Sequence, residues 1–233
     1  MIDLMLDIET IGKKPGVVVL DVAIVPFHIN GKELTSEEKK EFTFRCQLNA
    51  GEQIALGYHV DKDTLDWWSK QDPKVRLTTW SGVTMLAEFR KLLLDYIVQV
   101  EQTFKEYRIW DTAFDKLAVE ALFEQEVFPF FYRAKRCCRT LTDLAKLLFP
   151  KEFKLAPAGK DLHDAEADCV RQIKDAVLAY KLLRRASNND AEVQELSKVA
   201  VKNVDELLKS EVSEPIGSLV NRVSDGRMAP GYQ

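Results

Sequence analysis

The alternation of apolar and polar residues is clearest at the start of the chain, where the order is Leu4, Met5, Leu6, Asp7, Ile8 and Glu9. This period of two predicts a β-strand with Asp7 and Glu9 on the same side of it. Two carboxylates this close repel and raise each other's pKa unless a cation lies between them. A divalent metal with oxygen ligands, Mg²⁺ or Mn²⁺, explains the pair. A Glu9 that simply ends the strand in solvent explains the pair alone equally well.

Later runs predict further strands. Residues 17–25 form a β-rich run that we expect to pair with the first strand. Asn30-Gly31 is typical of a tight hairpin turn, which predicts a third antiparallel strand at 42–48. Short strands are also predicted at 107–110 and 135–139. The chain therefore begins with three antiparallel strands.

Helical spacing of apolar residues appears between and after these strands. It predicts helices over 60–68, from Ser81 or Gly82 onward, from Phe114, over 144–149 and over 165–185, with residues 50–60 as a loop. Trp67 and Trp68 point about 100° apart on a helix. We therefore expect one to fill the core and the other to cap it, with stacking on a nucleic-acid base as the alternative. The element order indicates an α/β fold, a mixed sheet flanked by helices.

The C-terminal part differs from the rest. A break is predicted at Ser187–Asp190. Beyond it, apolar residues at spacings of three and four predict another helix through Val193, Leu196, Ala200, Val204 and Leu207. After Glu214-Pro215 the sequence is typical of a flexible tail. We expect one domain at 1–186, followed by a C-terminal helix and tail at 187–233.

Composition restricts the class of protein. The 233 residues, 30% charged and 46% hydrophobic, suit a globular chain with one sizeable core. No run approaches the roughly 18 apolar residues of a membrane span, and Asp3 and Asp7 interrupt any apolar leader. The net charge of −4 argues against coating nucleic acid along its length but permits gripping a short end. The four cysteines lack CxxC spacing, which favours a reducing cytoplasm.

A second group of candidate residues lies at the start of the last long helix. His163 precedes the helix and Asp168 lies in its first turns, where the helix dipole favours negative charge. An imidazole and a carboxylate placed in this way are able to face one common point. Taken singly, each also has an ordinary explanation as a solvated surface residue.

A basic cluster next to the aromatic pair Phe131-Tyr132 indicates a class of substrate. It consists of Arg133, Lys135, Arg136 and Arg139. Lysine and arginine fix phosphates, and aromatic rings stack on bases. A solvated, charged strand end is an equally good explanation of the cluster.

Three stretches resemble the exonuclease motifs of the DEDDh 3′–5′ exonucleases of the ribonuclease-H-like superfamily. They are Asp7-x-Glu9-Thr10, Phe114-Asp115 and His163-x-Ala165-x-x-Asp168, in the same order and at similar separations. The chain is most similar to the phage exonuclease A and bacterial exoribonuclease group, through Asp61-x-x-Thr64-x-x-Trp67-Trp68, Gln71 and Arg139-Thr140-Leu141. The resemblance covers about residues 1–185. The chain departs from the pattern at Asp111, where many relatives have asparagine, and at Cys138, where aspartate is common.

The resemblance implies a ribonuclease-H-like sheet of three antiparallel strands followed by β-α-β-α. It also implies a 3′–5′ exonuclease that releases nucleoside 5′-monophosphates with two Mg²⁺ or Mn²⁺ ions, which offset negative charge on the phosphate. The metal ligands would be Asp7, Glu9, Asp115 and Asp168, and His163 would be the general base. Substrate would contact Thr10, Trp67, Trp68, Phe114 and Arg139. The partner would be the 3′ end of DNA or RNA, in a bacterial cell or phage-infected host, without a membrane and with a possible homo-oligomer.

Three alternatives stay open. Asp111 rivals Asp115 as the ligand of the second motif. A related fold that cleaves internally, such as a resolvase-like endonuclease, would use similar acids. A non-catalytic module that binds nucleic acid or a protein partner is the third, although a binding protein gains nothing from mutually repelling carboxylates.

Overall fold

The structure is a computed structural model that describes residues 1–123, 128–157 and 163–189. Its centre is a five-stranded sheet in the order β3-β2-β1-β4-β5. The strands are β1 (Ile2–Thr10), β2 (Val19–Phe27), β3 (Phe44–Gln47), β4 (Tyr107–Asp111) and β5 (Lys135–Cys137). The first three strands are antiparallel, and β4 and β5 run parallel to β1. The mixed α/β sheet and its three antiparallel opening strands confirm the predicted architecture.

Helices cover both faces of the sheet. They are α1 (Ser36–Phe42), α2 (Ala50–Ala55), α3 (Lys62–Ser69), α4 (Pro73–Thr79), α5 (Leu86–Phe104), α6 (Asp115–Ala121), α7 (Cys138–Leu148) and α8 (Ala165–Asn189). The helices predicted at 60–68, from Phe114 and over 165–185 are confirmed as α3, α6 and α8. The helix expected from Ser81 or Gly82 is present, but begins at Leu86.

Strand β1 separates two apolar layers because its side chains alternate. Leu4, Leu6 and Ile8 pack in a large core together with the buried face of α5. Met5, on the other side, packs with Ala165 and other small residues of α8. The odd-numbered positions Asp7 and Glu9 therefore belong to the α8 side of the strand, as the alternation predicts.

The hairpin predicted at Asn30-Gly31 is wrong. Gly31 has a φ of +80° and its N–H donates to the His28 carbonyl at 2.8 Å, so a turn does form. It leads to α1 rather than directly to a strand, and β3 spans only Phe44–Gln47 instead of 42–48. Thr35 and Glu38, three residues apart, form a capping box at the start of α1. This pair is a sequence signal for the start of a helix, but the prediction rested on the turn dipeptide instead.

Three further boundaries differ from those predicted. Residues 50–55, predicted as loop, form α2 because Asn49 caps its first turn by accepting from the Glu52 N–H. The strand expected at 135–139 ends at Cys137, and α7 begins at once rather than at Leu144. Helix α8 continues through the break predicted at Ser187 to Asn189. A side-chain cap thus accounts for α2, and the burial of Cys138 accompanies the early start of α7.

Residues Met1–Leu183 form one compact unit, and Arg184–Gln233 form a second. The helix predicted through Val193 to Leu207 and the tail after Pro215 lie outside the described residues. Among the residues that the structure describes, no helix has the length and apolar character needed to cross a membrane.

Candidate active site

A cleft of about 760 Å³ opens where β1 and β4 end. Because these two strands are parallel, their carboxyl ends meet at the same edge of the sheet, where ligands of open α/β sheets bind. All the residues predicted from the sequence as catalytic, metal-binding or substrate-binding line this cleft. They are Asp7, Glu9, Thr10, Trp67, Trp68, Phe114, Asp115, Arg139, His163 and Asp168. The structure brings them together; their individual roles stay predictions.

Helix α8 brings Asp168 to the two acids of β1. The helix crosses the sheet closely through Ala165 and Cys169, both fully buried, and the Cys169 Sγ lies 3.3 Å from the Met5 carbonyl oxygen. One turn after Asp168, Gln172 donates from Nε2 to Asp7 Oδ1 at 2.5 Å. Small side chains at the crossing thus let a polar edge of the helix reach the end of β1.

The start of α6 separates the roles of Asp111 and Asp115. Asp111 is 1% exposed, and its two carboxylate oxygens accept from the N–H groups of Ala113 and Lys116 at 3.0 and 3.1 Å. Asp115 lines the cleft, and its Oδ2 accepts from the Thr112 N–H and hydroxyl at 2.9 and 2.6 Å. Asp111 acts as a backbone cap, and this geometry favours Asp115 as the ligand.

His163 lies against the tryptophans of α3. Its ring centroid is 4.5 Å from that of Trp67, with the two rings nearly perpendicular, and 6.0 Å from that of Trp68. Trp68 is 1% exposed and donates from Nε1 to the Thr10 carbonyl at 2.9 Å, whereas Trp67 is 39% exposed. Of the expected pair, Trp68 therefore fills the core, and Trp67 covers it at the cleft. The φ of His163 is +68°, in the left-handed region.

The carboxylates create a strong electrostatic conflict. Burial, followed by the nearby charges of Asp115, Glu9 and Asp168, raises the pKa of Asp7 well above its ordinary value. Burial and the charge of Asp168 raise the pKa of Glu9 to about 8. Burial also raises the pKa of Asp115, although its hydrogen bonds to Thr112 act in the opposite direction. These acids need positive charge to ionise together at neutral pH.

One oxygen each of Glu9 and Asp168 and one ring nitrogen of His163 lie within 4.8 Å of one another. Carboxylate oxygens with a single imidazole suit a hard divalent cation. Burial lowers the pKa of His163, and the charge of Asp168 opposes this effect. At neutral pH the imidazole is therefore mainly uncharged and able to accept a proton.

The residues expected to contact substrate differ in how many contacts they already make within the protein. The Thr10 hydroxyl donates to the Gly12 carbonyl at 2.7 Å, so its proton is engaged within the chain. Phe114 is partly buried against the core at the start of α6. Arg139 is exposed on the first turn of α7, and its charge lowers the pKa of Asp115. In the rest of the basic cluster, Arg133 donates to the Tyr132 hydroxyl at 2.7 Å.

Several site residues escaped the sequence analysis. Gln172 and Arg171 line the cleft, and Arg171 pairs with Asp168 at 2.8 Å. Buried Asp21 lies opposite Glu9 in the β1–β2 register and pairs with Arg45 at 2.7 Å. Asp21 interrupts the apolar run 17–25, and Gln172 follows Asp168 by four residues on one helix. A charge inside a strand and a helical spacing of four were the signals that could have identified them.

Two solved structures of a bacterial exonuclease share the fold of this chain. Escherichia coli Exonuclease I in complex with a dT13 oligonucleotide matches with a TM-score of 0.56 and 13% identity, over 81% of this chain and 43% of that chain. Its complex with a dA16 oligonucleotide matches with a TM-score of 0.51 and 14% identity, over 81% and 42%. The chain thus spans less than half of the Exonuclease I chain, and the likeness establishes the fold. No curated protein sequence matches the chain.

The family follows from the sequence match. The model of the Rv2179c-like 3′-5′ exoribonuclease domain matches residues 2–179, most of the chain. The chain belongs to this family of 3′-5′ exonucleases. The DEDDh resemblance is thereby confirmed at the level of family and fold, and membership together with the acidic cleft indicates dependence on a divalent metal.

The raised carboxyl pKa values predict how the stability of the metal-free protein depends on pH. With a folded pKa of about 8 against about 4.3 unfolded, Glu9 binds more protons in the folded state. The free energy of unfolding should therefore fall as the pH rises from about 4 to about 8. We expect the melting temperature in chelator to fall over this range, and millimolar Mg²⁺ or Mn²⁺ to restore it.

Glu9→Gln is the matched variant, because it removes one titrating group and keeps the side-chain shape. In chelator at pH 8 it should melt at a higher temperature than the unsubstituted protein, and its dependence on pH should be weaker. Equal melting curves for the two proteins at pH 8 would contradict the electrostatic conflict.

Proposed function

We propose that the protein hydrolyses phosphodiester bonds at the 3′ end of nucleic acid and releases nucleoside 5′-monophosphates one at a time, with two Mg²⁺ or Mn²⁺ ions. The observation that carries the proposal is the meeting of four carboxylates and an imidazole in one cleft: Asp7, Glu9, Asp115, Asp168 and His163. The family description supports RNA as substrate. The dT13 and dA16 oligonucleotides bound to Exonuclease I support nucleic acid as the ligand of a protein with this fold.

The donor set fits the metal that an exonuclease family implies. Asp7, Glu9, Asp115 and Asp168 would hold the ions, because their buried oxygens repel one another and match hard cations. When bound, such ions supply a water of lowered pKa and neutralise charge that develops on the phosphate. Gln172 holds one oxygen of Asp7 through a hydrogen bond. This fixes the orientation of the carboxylate and therefore of its second oxygen.

His163 is proposed to move the proton. A water oxygen forms a bond to phosphorus, and a ring nitrogen of His163 accepts the proton from this water. The bond from phosphorus to the 3′ oxygen of the preceding nucleotide breaks, and that oxygen takes a proton from solvent water to become the new 3′-hydroxyl group. Its lowered pKa supports this role because the ring is ready to accept a proton at neutral pH. The perpendicular contact with Trp67 restricts the ring to an orientation at the cleft.

The terminal nucleotide is proposed to lie beside Trp67. The partly exposed indole offers a flat face for a base, which is compatible with any base sequence. Arg139, another lining residue of the cleft, would neutralise a phosphate oxygen. The Thr10 hydroxyl donates its proton to the Gly12 carbonyl, so towards the nucleotide it would act as a hydrogen-bond acceptor.

We expect Asp7→Asn and Asp115→Asn to lower kcat by about a thousandfold or more, because each removes a metal-binding charge. Asp111→Asn is the matched control. It should lower the melting temperature by weakening the cap of α6, yet keep kcat within about tenfold, since Asp111 does not line the cleft. The assay follows 5′-labelled RNA and DNA oligonucleotides, single-stranded and with overhangs, for stepwise shortening from the 3′ end.

An internal cleavage pattern would favour the resolvase-like alternative over the proposal. Binding of the oligonucleotides without any hydrolysis, with Mn²⁺ present, would favour a non-catalytic binding module. Greater loss of activity in Asp111→Asn than in Asp115→Asn would reverse the ligand assignment of the second motif.

We expect His163→Ala to lower kcat by roughly a hundredfold, the effect of losing a general base, with a small change in KM. His28→Ala is the control, because His28 comes directly after β2 and does not line the cleft. Steady-state kinetics on one RNA oligonucleotide at saturating Mg²⁺ distinguish the two. A kcat for His163→Ala within about threefold of that for His28→Ala would remove His163 from the proton transfer.

A further inference from the structure

A second cavity of about 340 Å³ adjoins the catalytic cleft along α7. The two cavities share Thr112, Arg139, Arg171 and Gln172 as lining residues, so they lie next to each other. Trp67 and Thr10 border only the catalytic cleft, at the position proposed for the terminal nucleotide. A strand whose 3′ end lies there has to leave the cleft, and the α7 cavity offers a route past Arg139.

The chemistry of the α7 cavity suits a nucleotide. Arg139, Thr142 and Lys146 share one face of α7, at spacings of three and four residues. Among the described residues Lys146 has no ion-pair partner, whereas Arg171 is paired with Asp168. Leu155, 57% exposed, gives the cavity an apolar surface suited to a base or sugar. Seven residues of helix separate Arg139 from Lys146 by about 10 Å, so the two cations serve different phosphates.

The α7 cavity also contains two carboxylates. Asp175 is buried and accepts from the Ala156 N–H at 2.7 Å. This hydrogen bond holds the segment that follows α7 against α8. Asp143 is exposed one helical turn before Lys146, and its negative charge would repel a phosphate bound in the cavity. The two side chains on α7 therefore have opposite effects on an anionic strand, which allows a test by the sign of the effect.

We propose that the α7 cavity is a binding site for the phosphates of the nucleotides 5′ of the scissile bond, with Lys146 as the group that contacts the strand beyond the first of them. The proposal rests on the proposed exonuclease function. It predicts a preference for longer substrates that depends on Lys146 of α7.

The test compares a dinucleotide with an octamer of the same base, as RNA and as DNA, over a series of salt concentrations. Lys146→Ala should lower kcat/KM for the octamer and reduce its salt slope by about 0.7, the effect of one lost phosphate contact on a single strand. The dinucleotide should be unaffected. Asp143→Asn should raise kcat/KM for the octamer. Lys39→Ala, on α1, is the control and should change neither substrate.

Binding of the octamer in an Asp7→Asn background, followed by fluorescence anisotropy, repeats the comparison without hydrolysis. Equal effects of Lys146→Ala on the dinucleotide and the octamer, or the same sign for Lys146→Ala and Asp143→Asn, would overturn the site. If either of these outcomes is found while the unsubstituted protein binds and hydrolyses the octamer, only the proposal for the α7 cavity fails. Absence of hydrolysis of both substrates would instead refute the exonuclease function.

A different observation identifies a positioning residue. Arg45 of β3 donates from Nη2 to buried Asp21 of β2 at 2.7 Å and to Asp164 at 2.8 Å. Asp164 is the next residue after His163 and accepts from the Ala167 N–H at 3.0 Å, which caps the start of α8. Arg45 thus joins the rigid antiparallel strands to the segment that carries His163.

From these contacts we infer that Arg45 is a positioning residue that holds His163 through Asp164. The His163 backbone is in the left-handed region, and among the described residues its carbonyl accepts one long contact, 3.5 Å from the Thr79 hydroxyl. The Arg45–Asp164 ion pair, at 2.8 Å, is a much shorter polar contact and ties this turn to the sheet. Loss of the pair leaves the backbone of His163 free to relax.

Arg108 provides a matched control at the other end of the sheet. It pairs with buried Asp3 at 2.7 Å, as Arg45 does with buried Asp21, and neither arginine lines the cleft. Arg45→Met should lower kcat by about ten- to a hundredfold, the effect of a displaced catalytic group, with KM within about threefold. Arg108→Met should reduce the melting temperature comparably and keep kcat. Steady-state kinetics and thermal unfolding of both variants make the comparison.

Asp164→Asn and the double variant with Arg45→Met complete the test. Asp164→Asn retains an oxygen for the Ala167 N–H and weakens only the pair with Arg45, so it remains informative if Arg45→Met fails to fold. The losses in kcat should be non-additive, because both substitutions break the ion pair between Arg45 and Asp164. Additive losses, or an unchanged kcat in Asp164→Asn, would overturn the inference.

Discussion

Mutual repulsion of buried carboxylates is the constraint on which the site depends. Asp7 and Glu9 are each 8% exposed and Asp115 is 5% exposed, and the charges of neighbouring acids raise the pKa of Asp7 further. The electrostatic repulsion would be weaker if the acids were farther apart, so the rest of the fold has to hold them together. Strand β1 does this because it is paired on both sides and covered on both faces. The stability of the core opposes this repulsion, which a divalent cation bound at the proposed site would relieve.

The two halves of the sheet supply different parts of this arrangement. The antiparallel strands β2 and β3 provide a rigid support, in which Asp21 and Arg45 lie behind Glu9. The parallel strands β1 and β4 end at one edge and direct the next segments of the chain across the cleft. Helices α6 and α8 then add acids from distant parts of the sequence. A cleft at the carboxyl ends of parallel strands is the general location for ligands in such sheets.

The sequence was sufficient for the principal strands, α3, α6 and α8, because each depends on a local pattern. Period two defines β1, and a cap at Asp61 defines α3. Thr10, Phe114 and Asp115, by contrast, were expected in the site only through the resemblance to the exonuclease motifs. The failures have two origins. Helix α1 has a local signal, the capping box of Thr35 and Glu38, which the hairpin prediction overlooked because Asn30-Gly31 signals a turn without determining whether a helix or a strand comes next. The early start of α7 depends on packing, since the helix begins without a side-chain cap and with Cys138 buried. Arg45 and Gln172 act through contacts between residues 119 and 165 positions apart, which no local pattern contains.

The close crossing of α8 over the sheet has a consequence for sequence variation. Ala165, Cys169 and Ala176 are fully buried at the crossing, and the Cys169 thiol lies against backbone oxygens of Met5 and Ala23. These side chains act as a spacer that sets the distance between helix and strand. A larger residue there would lift Asp168 away from Glu9 without touching any ligand. Substitutions at these buried positions would therefore change the spacing of the proposed metal-binding acids in a protein that still folds, although none of the positions has a chemical role of its own.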